Sequence, residues 1–267
     1  MKPTENPIFA EERKTKILKM LKDKKQVRVA ELCDIFKVSG ATIRTYLREL
    51  QDSGLLTRTH GGAIEKIQTG YELNTQQRKI QNLSKKKKIA QVALNLINDG
   101  DKIILDTGTT TCELAKLLDQ KNNITVLTND LIIANILEDF SSIEIIMFGG
   151  VIRKKFHCSV GLQGLDLIKD LVFDKAFMGV NSFCLDKGAT TPDIAQADTK
   201  KSMIKASNKV ILLCDSSKIE KVSFVQFASS QEIDSIITDT LEEETKKRIE
   251  EQGIEVIDHL HDILMSE

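Results

Sequence analysis

The sequence has no run approaching the ~20 uninterrupted apolar residues that a membrane-spanning helix needs. Its start, Met1-Lys-Pro-Thr-Glu-Asn-Pro, also lacks the apolar segment of a signal peptide. These two absences argue against a membrane role and predict a cytoplasmic protein. The five cysteines (Cys33, Cys112, Cys158, Cys184, Cys214) form no C-x-x-C pair and have no histidine at metal-ligand spacing, so neither a disulfide framework nor a metal site is expected. Cys33 and Cys214 sit inside apolar patterns and read as small buried hydrophobes. No G-x-x-x-x-G-K-[ST] occurs, which excludes a Walker phosphate loop. No cofactor is predicted.

What is present suffices for two packed units: 267 residues, 41% of them hydrophobic. The near-neutral total charge conceals an asymmetry. Residues 1–66 carry 14 Lys and Arg against 9 Asp and Glu, a net of +5, while the remainder carries 24 against 30, a net of −6. A small basic head on an acidic body suits a polyanion-binding domain attached to something that need not touch the polyanion.

In the basic head, Ile17, Leu18 and Leu21 fall at helical spacing between Phe9 and Leu21, separated by Arg13, Lys14, Lys16 and Lys19. A second helix is expected over Val29 to Phe36, with Ala30, Leu32, Cys33 and Phe36 inward. Ser39 is a suitable N-cap for a third, Ala41 to Asp52, which Gly54 ends. Ile43, Leu47 and Leu50 share one face of that helix, leaving Thr42, Arg44, Thr45 and Arg48 outward. A short helix, a tight turn and a helix with exposed Arg and Thr near its start is the helix-turn-helix arrangement, in which the second helix of the pair enters the major groove. Leu55 to Ile64 reads as two short strands around a turn, a wing carrying Arg58 and His60 toward phosphates or the minor groove. Ser39, Thr42, Arg44, Thr45, Arg48, Arg58 and His60 are the candidate DNA contacts. A small helical bundle with solvated charges is the competing reading.

Glu65 to Leu83 is polar and reads as a connector ending at Ser84, the expected N-cap of a helix over Lys86 to Ile97. The run Lys85 to Lys88 is expected to be a solvated first turn, with a DNA-contacting patch as the alternative, although four cations there oppose the helix macrodipole. Beyond Asp99, β-rich runs (Lys102–Asp106, Ile124–Thr128, Glu144–Phe148, Lys175–Gly179, Val210–Asp215, Ser235–Thr238, Glu255–Ile257) alternate with helical patterns over Thr110–Leu118, Leu131–Glu138, Ile194–Ser207 and Leu241–Gln252. The predicted fold class is α/β: a winged helix-turn-helix joined to a mostly parallel sheet domain. The expected domains are 1–66 for DNA, 67–84 as linker, and 85–267 for effector binding and oligomerisation.

In such sheets ligands bind beyond the carboxyl ends of the strands. After the first strand, Asp106-Thr107-Gly108-Thr109-Thr110-Thr111 leads directly into a helix. It offers a backbone free to approach a ligand, hydroxyl donors and helix N-terminal N–H groups, which suits a phosphate. Four more strand-end loops add Asn129 and Asp130, Gly149 and Gly150 with Arg153, the turn Gly179 to Ser182, and Asp215 with Lys218. Arg153 is expected to clamp a phosphate bidentately and Lys218 to meet it as a point charge.

Both halves resemble the DeoR family of repressors. In the head the matching stretches are Val38-Ser39-Gly40-Ala41-Thr42-Ile43-Arg44, Leu47-Arg48-Glu49-Leu50, Gly54-Leu55-Leu56 and His60-Gly61-Gly62-Ala63. In the body they are L-D-T-G-T-T-T, T-N-D, F-G-G, A-F-M-G-V and D-S-S-K, in the family's order. The resemblance implies a sensor domain similar to sugar-phosphate isomerases and CoA transferases, and a phosphorylated sugar that binds at Asp106 to Thr111 and lowers affinity for double-stranded operator DNA. Two positions depart from the pattern. Tyr46 stands where the family has an acidic residue, bordering the Ile43 and Leu50 face so that packing is expected of it, and Gln196 stands where the family has Glu. Helix-turn-helix proteins commonly bind pseudo-palindromes, so a dimer or tetramer is expected. The competing class is a sugar-phosphate isomerase with a DNA-binding head, for which Asp106, Asp130 and Asp215 are the candidate bases.

Overall fold

The computed structural model describes residues 10–53, 55–65, 72, 74–161 and 168–258. Phe9, Gly54, the polar start of the chain and, in the connector, residues 66–71 and 73 lie outside the described residues. Residue contacts divide the chain into two units, Met1–Tyr71 and Glu72–Glu267.

In the first unit, α1 (Ala10–Lys24) leads into a short strand β1 (Gln26–Arg28), then α2 (Val29–Phe36), α3 (Gly40–Asp52), β2 (Leu56–Thr59) and β3 (Gly62–Glu65). The strands form an antiparallel sheet of order β1-β3-β2, so the wing has a third strand that sequence periodicity did not reveal. Helix α2 stops where Lys37 turns left-handed (φ 53) and its N–H caps the Cys33 carbonyl. Ile17, Leu21, Leu32, Phe36, Ile43, Leu47, Leu50 and Leu56 close one core. Ala30, expected inward, is exposed, because it sits about half a turn round from Leu32. Tyr46 is buried, and its hydroxyl accepts from Arg13 Nη1 at 3.2 Å, so this residue packs, as its spacing suggested.

The second unit opens with α4 (Thr75–Ile80), inside the stretch expected to be a connector, and α5 (Leu83–Asn95). The cap of α5 is Asn82, left-handed at φ 53, rather than Ser84. Then follow β4 (Lys102–Leu105), α6 (Thr109–Ala115), β5 (Ile124–Thr128), α7 (Leu131–Leu137), β6 (Ile143–Met147), a hairpin of β7 (Val151–Arg153) and β8 (Cys158–Val160), and β9 (Phe173–Gly179). The rest is β10 (Ser182–Cys184), β11 (Gly188–Thr191), α8 (Ile194–Lys205), β12 (Ser207–Leu213), β13 (Val225–Ala228), β14 (Ser235–Ile237), α9 (Glu243–Glu250) and β15 (Glu255–Ile257).

Seven strands form a sheet of order β15-β14-β12-β9-β4-β5-β6, and every pairing in it is parallel. Side chains alternate across it: Ile103, Leu105 and Val126 pack with α5, α6 and α7 on one face, while Ile104, Leu127 and Met178 pack with α8 and α9 on the other. Two covered faces explain the near-continuous apolar runs. A smaller antiparallel sheet, β10-β11-β13, lies outside it. Among the described residues no helix is long and apolar enough to cross a membrane.

The chain runs from β4 outward through β5 and β6, then returns to β4's other side with β9 and continues to β15. The order therefore reverses between β4 and β9, and at their carboxyl ends the two connections diverge and leave a crevice. Because the sheet is parallel, the five strand-end loops singled out in the sequence share one edge.

Candidate functional site

On the first unit, α3 presents an outward row. Ser39 caps it by accepting from the Thr42 N–H at 3.2 Å, and the Ser39 and Thr42 hydroxyls lie 3.0 Å apart. Thr45 donates back to the Ala41 carbonyl at 3.1 Å. Arg44 and Arg48 are exposed, as are Arg58 and His60 on the wing. None of the three arginine side chains has an ion-pair partner among the described residues. The Arg58 N–H donates to Gln51 Oε1 at 3.0 Å, tying the wing to the end of α3. Free guanidinium groups on a helix and its adjacent hairpin are what a duplex's phosphates and base edges require.

On the second unit, the crevice is framed by buried carboxylates. Asp106 is fully buried, and its Oδ2 accepts the Gly179 N–H at 2.9 Å and the Lys200 ammonium. Burial pushes its carboxyl up, against the pull of Lys200 and the Gly179 amide. A Cβ on Gly179 would lie 2.8 Å from the Thr107 carbonyl, so glycine is required where β9 meets the β4 loop. The Thr107 N–H donates to Asn129 Oδ1 at 3.1 Å and its hydroxyl to Asp130 Oδ2 at 2.6 Å. Asn129 Nδ2 donates to the Ser159 carbonyl, and Asp130 caps α7 through the Ile132 and Ile133 amides. Burial raises the Asp130 carboxyl despite these donors. Asp215 is also buried, yet Lys218 and the Ser217 hydroxyl outweigh burial and hold it below its ordinary value.

Within this frame lies a narrow cleft. The β4 loop supplies Thr107, Gly108, Thr109 and Thr110, β9 and its turn supply Gly179, Val180 and Asn181, and α8 supplies Gln196 and Lys200. Lys218 and Arg78 complete it, and among the described residues no carboxylate lines it. Neither the Thr109 nor the Thr110 hydroxyl has a hydrogen-bond partner among the described residues. Lys200 is itself buried, donating to the Gly179 carbonyl at 2.8 Å and lying 4.9 Å from the Phe227 ring centroid.

The sequence-predicted residues therefore separate. Thr107, Gly108, Thr109, Thr110 and Lys218 reach the cleft, whereas Asp106, Thr111, Asn129, Asp130 and Asp215 stand behind it as its frame. Thr111 donates to the Gly108 carbonyl at 2.8 Å. Gly149 and Gly150 are exposed at the foot of the β7–β8 hairpin and do not line it; Gly150 (φ +143) has the Val160 carbonyl 2.5 Å from where a Cβ would be. Arg153, expected to clamp a phosphate, is a correction: its guanidinium donates to Gln196 Oε1 at 3.0 Å and Glu72 Oε2 at 3.1 Å, lies 3.5 Å from Asp193, and stacks on Phe156 at 4.1 Å. The arginine in the cleft is Arg78, from the presumed connector.

A second correction concerns Lys85 to Lys88. Only Lys87 and Lys88 are exposed. Lys85 pairs with Asp239 at 2.6 Å and donates to Ser216, while Lys86 is 3% exposed and donates to the carbonyls of Arg78 and Gln81, the latter at 2.6 Å. The run thus binds the end of α4, and burial together with Lys218 depresses the Lys86 pKa to about 8. Sequence reasoning missed Arg78, Lys200 and Asn181. Only Asn181, inside the Gly179 to Ser182 turn, had a signal.

Family models match both units: the DeoR-like helix-turn-helix domain over residues 13–69 and the DeoR C terminal sensor domain over 81–240. The HTH-type transcriptional regulator GlpR of Haloferax volcanii is 37% identical over 248 residues, covering 92% of this chain and 97% of that protein. The HTH-type transcriptional repressor GlcR of Bacillus subtilis is 35% identical, covering 88% and 90%. Ribose 5-phosphate isomerase A of Methanocaldococcus jannaschii superposes with a TM-score of 0.39 at 17% identity, over 52% of this chain and 55% of that one.

Proposed function

This chain belongs to the DeoR family of transcriptional regulators, and from that premise we propose that it represses a sugar-utilisation operon until a phosphorylated sugar enters the cleft between β4 and β9. It is a DNA-binding regulator and not an enzyme. In this reading residues 1–66 hold operator DNA, 67–84 connect and lend Arg78 to the cleft, and 85–267 supply the rest of the effector site and self-associate as a dimer or tetramer in the cytoplasm. Arg44 and Arg48 read base edges from the major groove, with Ser39, Thr42 and Thr45 beside them, and Arg58 and His60 hold the flanking backbone.

The observation that carries the effector assignment is the lining of the cleft. Arg78, Lys200 and Lys218, the hydroxyls of Thr109 and Thr110 and, among the described residues, no carboxylate converge at the point where the strand order reverses. Such a surface favours a dianionic group, with Gln196 left for sugar hydroxyls. The aspartates that an isomerase would need as a base are buried behind the loop. Release follows by linkage: an effector that prefers the DNA-incompetent state weakens operator binding by the same factor.

Operator binding at fixed salt across a panel of sugar phosphates tests this. The double variant Thr109→Val/Lys218→Ala is expected to bind operator like the parent and to ignore every effector. Normal release of that variant would place the effector elsewhere.

A further inference from the structure

We infer that Glu72 is a tethered stand-in for the effector's anion, held by cleft residues when the cleft is empty and displaced when it fills. This rests on the cleft receiving a phosphorylated ligand, and concerns how occupancy leaves the site.

The side chain of Glu72 is 4% exposed. Its Oε1 lies 3.2 Å from Arg78 Nη1 and accepts from Asn181 Nδ2 at 3.2 Å, and its Oε2 accepts from Arg153 Nη2 at 3.1 Å. Two of these partners, Arg78 and Asn181, line the cleft. A carboxylate and a phosphate compete for the same planar donor fork, and the dianion interacts with it more strongly. Arg78 also keeps a donor in reserve, since its Nε is buried without a partner. A bound phosphate therefore takes two of the three groups that compensate Glu72, and a carboxylate so deprived does not stay buried.

Its departure acts on a defined segment. Glu72 and residues 74–82 lie along the second unit as a strap. The Thr75 N–H donates to the Lys155 carbonyl at 3.2 Å and the Thr75 hydroxyl to the Phe156 carbonyl at 3.1 Å. Lys86 holds the Arg78 and Gln81 carbonyls, and Asn82 Nδ2 donates to Asp215 Oδ1 at 3.0 Å. Glu72 is the first residue of the unit, directly after Tyr71. Loss of its contacts frees the end of the strap continuous with the DNA-binding unit. The same competition filters ligands, because a weak monoanion has to displace a resident one.

Calorimetric titration of the full-length chain with inorganic phosphate, paired with amide exchange over Thr75–Ile80, tests this. Expected for the parent is phosphate binding that is lost in Lys218→Ala, with exchange in the strap accelerated by phosphate. Glu72→Gln, which keeps the shape and removes the charge, should bind phosphate about tenfold tighter and show fast strap exchange without it. Asp193→Asn, which removes a charge beside Arg153 outside the cleft, should change neither readout. If Glu72→Gln binds no tighter and its strap exchanges as in the parent, while Lys218→Ala still abolishes binding, the stand-in role is overturned and the cleft remains. The same follows if Asp193→Asn reproduces the Glu72→Gln effects, which would then be general electrostatics. Absence of phosphate binding in both parent and Glu72→Gln overturns the cleft assignment and this inference with it.

Discussion

Arg44, Arg48 and Arg58 stand exposed on the first unit, without ion pairs among the described residues, whereas the cleft's Arg78, Lys200 and Lys218 in the second are half-buried or buried and paired with Glu72, Asp106 and Asp215. The two units solve different problems with the same charge. A duplex carries its own dense row of charges, and cations need only be presented to it while its counterions leave. A small anion has to be wrapped, and the cations that wrap it stay buried when it is absent, so they need interim partners. Presentation is local in sequence; enclosure is assembled from distant segments.

The sharpest way to break this contrast is Lys200→Met. It strands the Asp106 carboxylate in a dry interior and is expected to cost the second unit ~3–5 kcal/mol, read from urea unfolding, with effector release lost. Asp106→Asn added to it should restore most of the stability and none of the release. A cost under ~1 kcal/mol, the range of exposed pairs, would mean that this cation is presented rather than enclosed.

Arg44→Ala comes next, on the opposite side of the comparison. It should leave stability unchanged and weaken operator binding by ~1–3 kcal/mol with relaxed base preference, measured by titration at fixed salt. Unchanged operator affinity would remove Arg44 from the reading face.

The smallest effect sharpens the comparison through pH. Lys86 has a folded-state pKa of about 8 against an ordinary 10.5. Between those values the unfolded chain binds more protons than the folded one, so stability of the second unit rises with pH across that window. Over the same rise the cleft loses a neighbouring positive charge, and phosphate affinity falls. Thermal unfolding and phosphate titration from about pH 8 to 10, where phosphate stays dianionic, check both trends, and Lys86→Met should flatten them. The first unit, with no buried lysine among its described residues, should show neither.

The same contrast explains what the sequence made legible. Helix α3 was readable because Ile43, Leu47 and Leu50 repeat at helical spacing behind a Ser39 cap, and both features lie within a dozen residues. The parallel strands were readable because they alternate with helices and carry apolar runs for two covered faces. Strands β1, β7, β8, β10, β11 and β13 span three or four residues each, as β4, β14 and β15 also do, but lie outside the parallel sheet. The roles of Arg78, Arg153 and Lys86 were illegible for another reason. Whether a cation faces a ligand or braces a loop depends on partners such as Glu72 and Gln196, which folding brings in across 81 and 43 residues to meet Arg153.

The hydrogen bond from Gly179 to Asp106 spans 73 residues, and it completes the floor between β4 and β9. During synthesis β4 and β5 are available to each other long before β9 leaves the ribosome, and Lys200 follows later still. The contacts of the first unit close within the opening stretch of the chain, where local folding is fast. Each molecule thus completes the fold that faces DNA before the fold that encloses an anion, and a ribosome stalled before Gly179 leaves behind a second unit whose cleft has no floor.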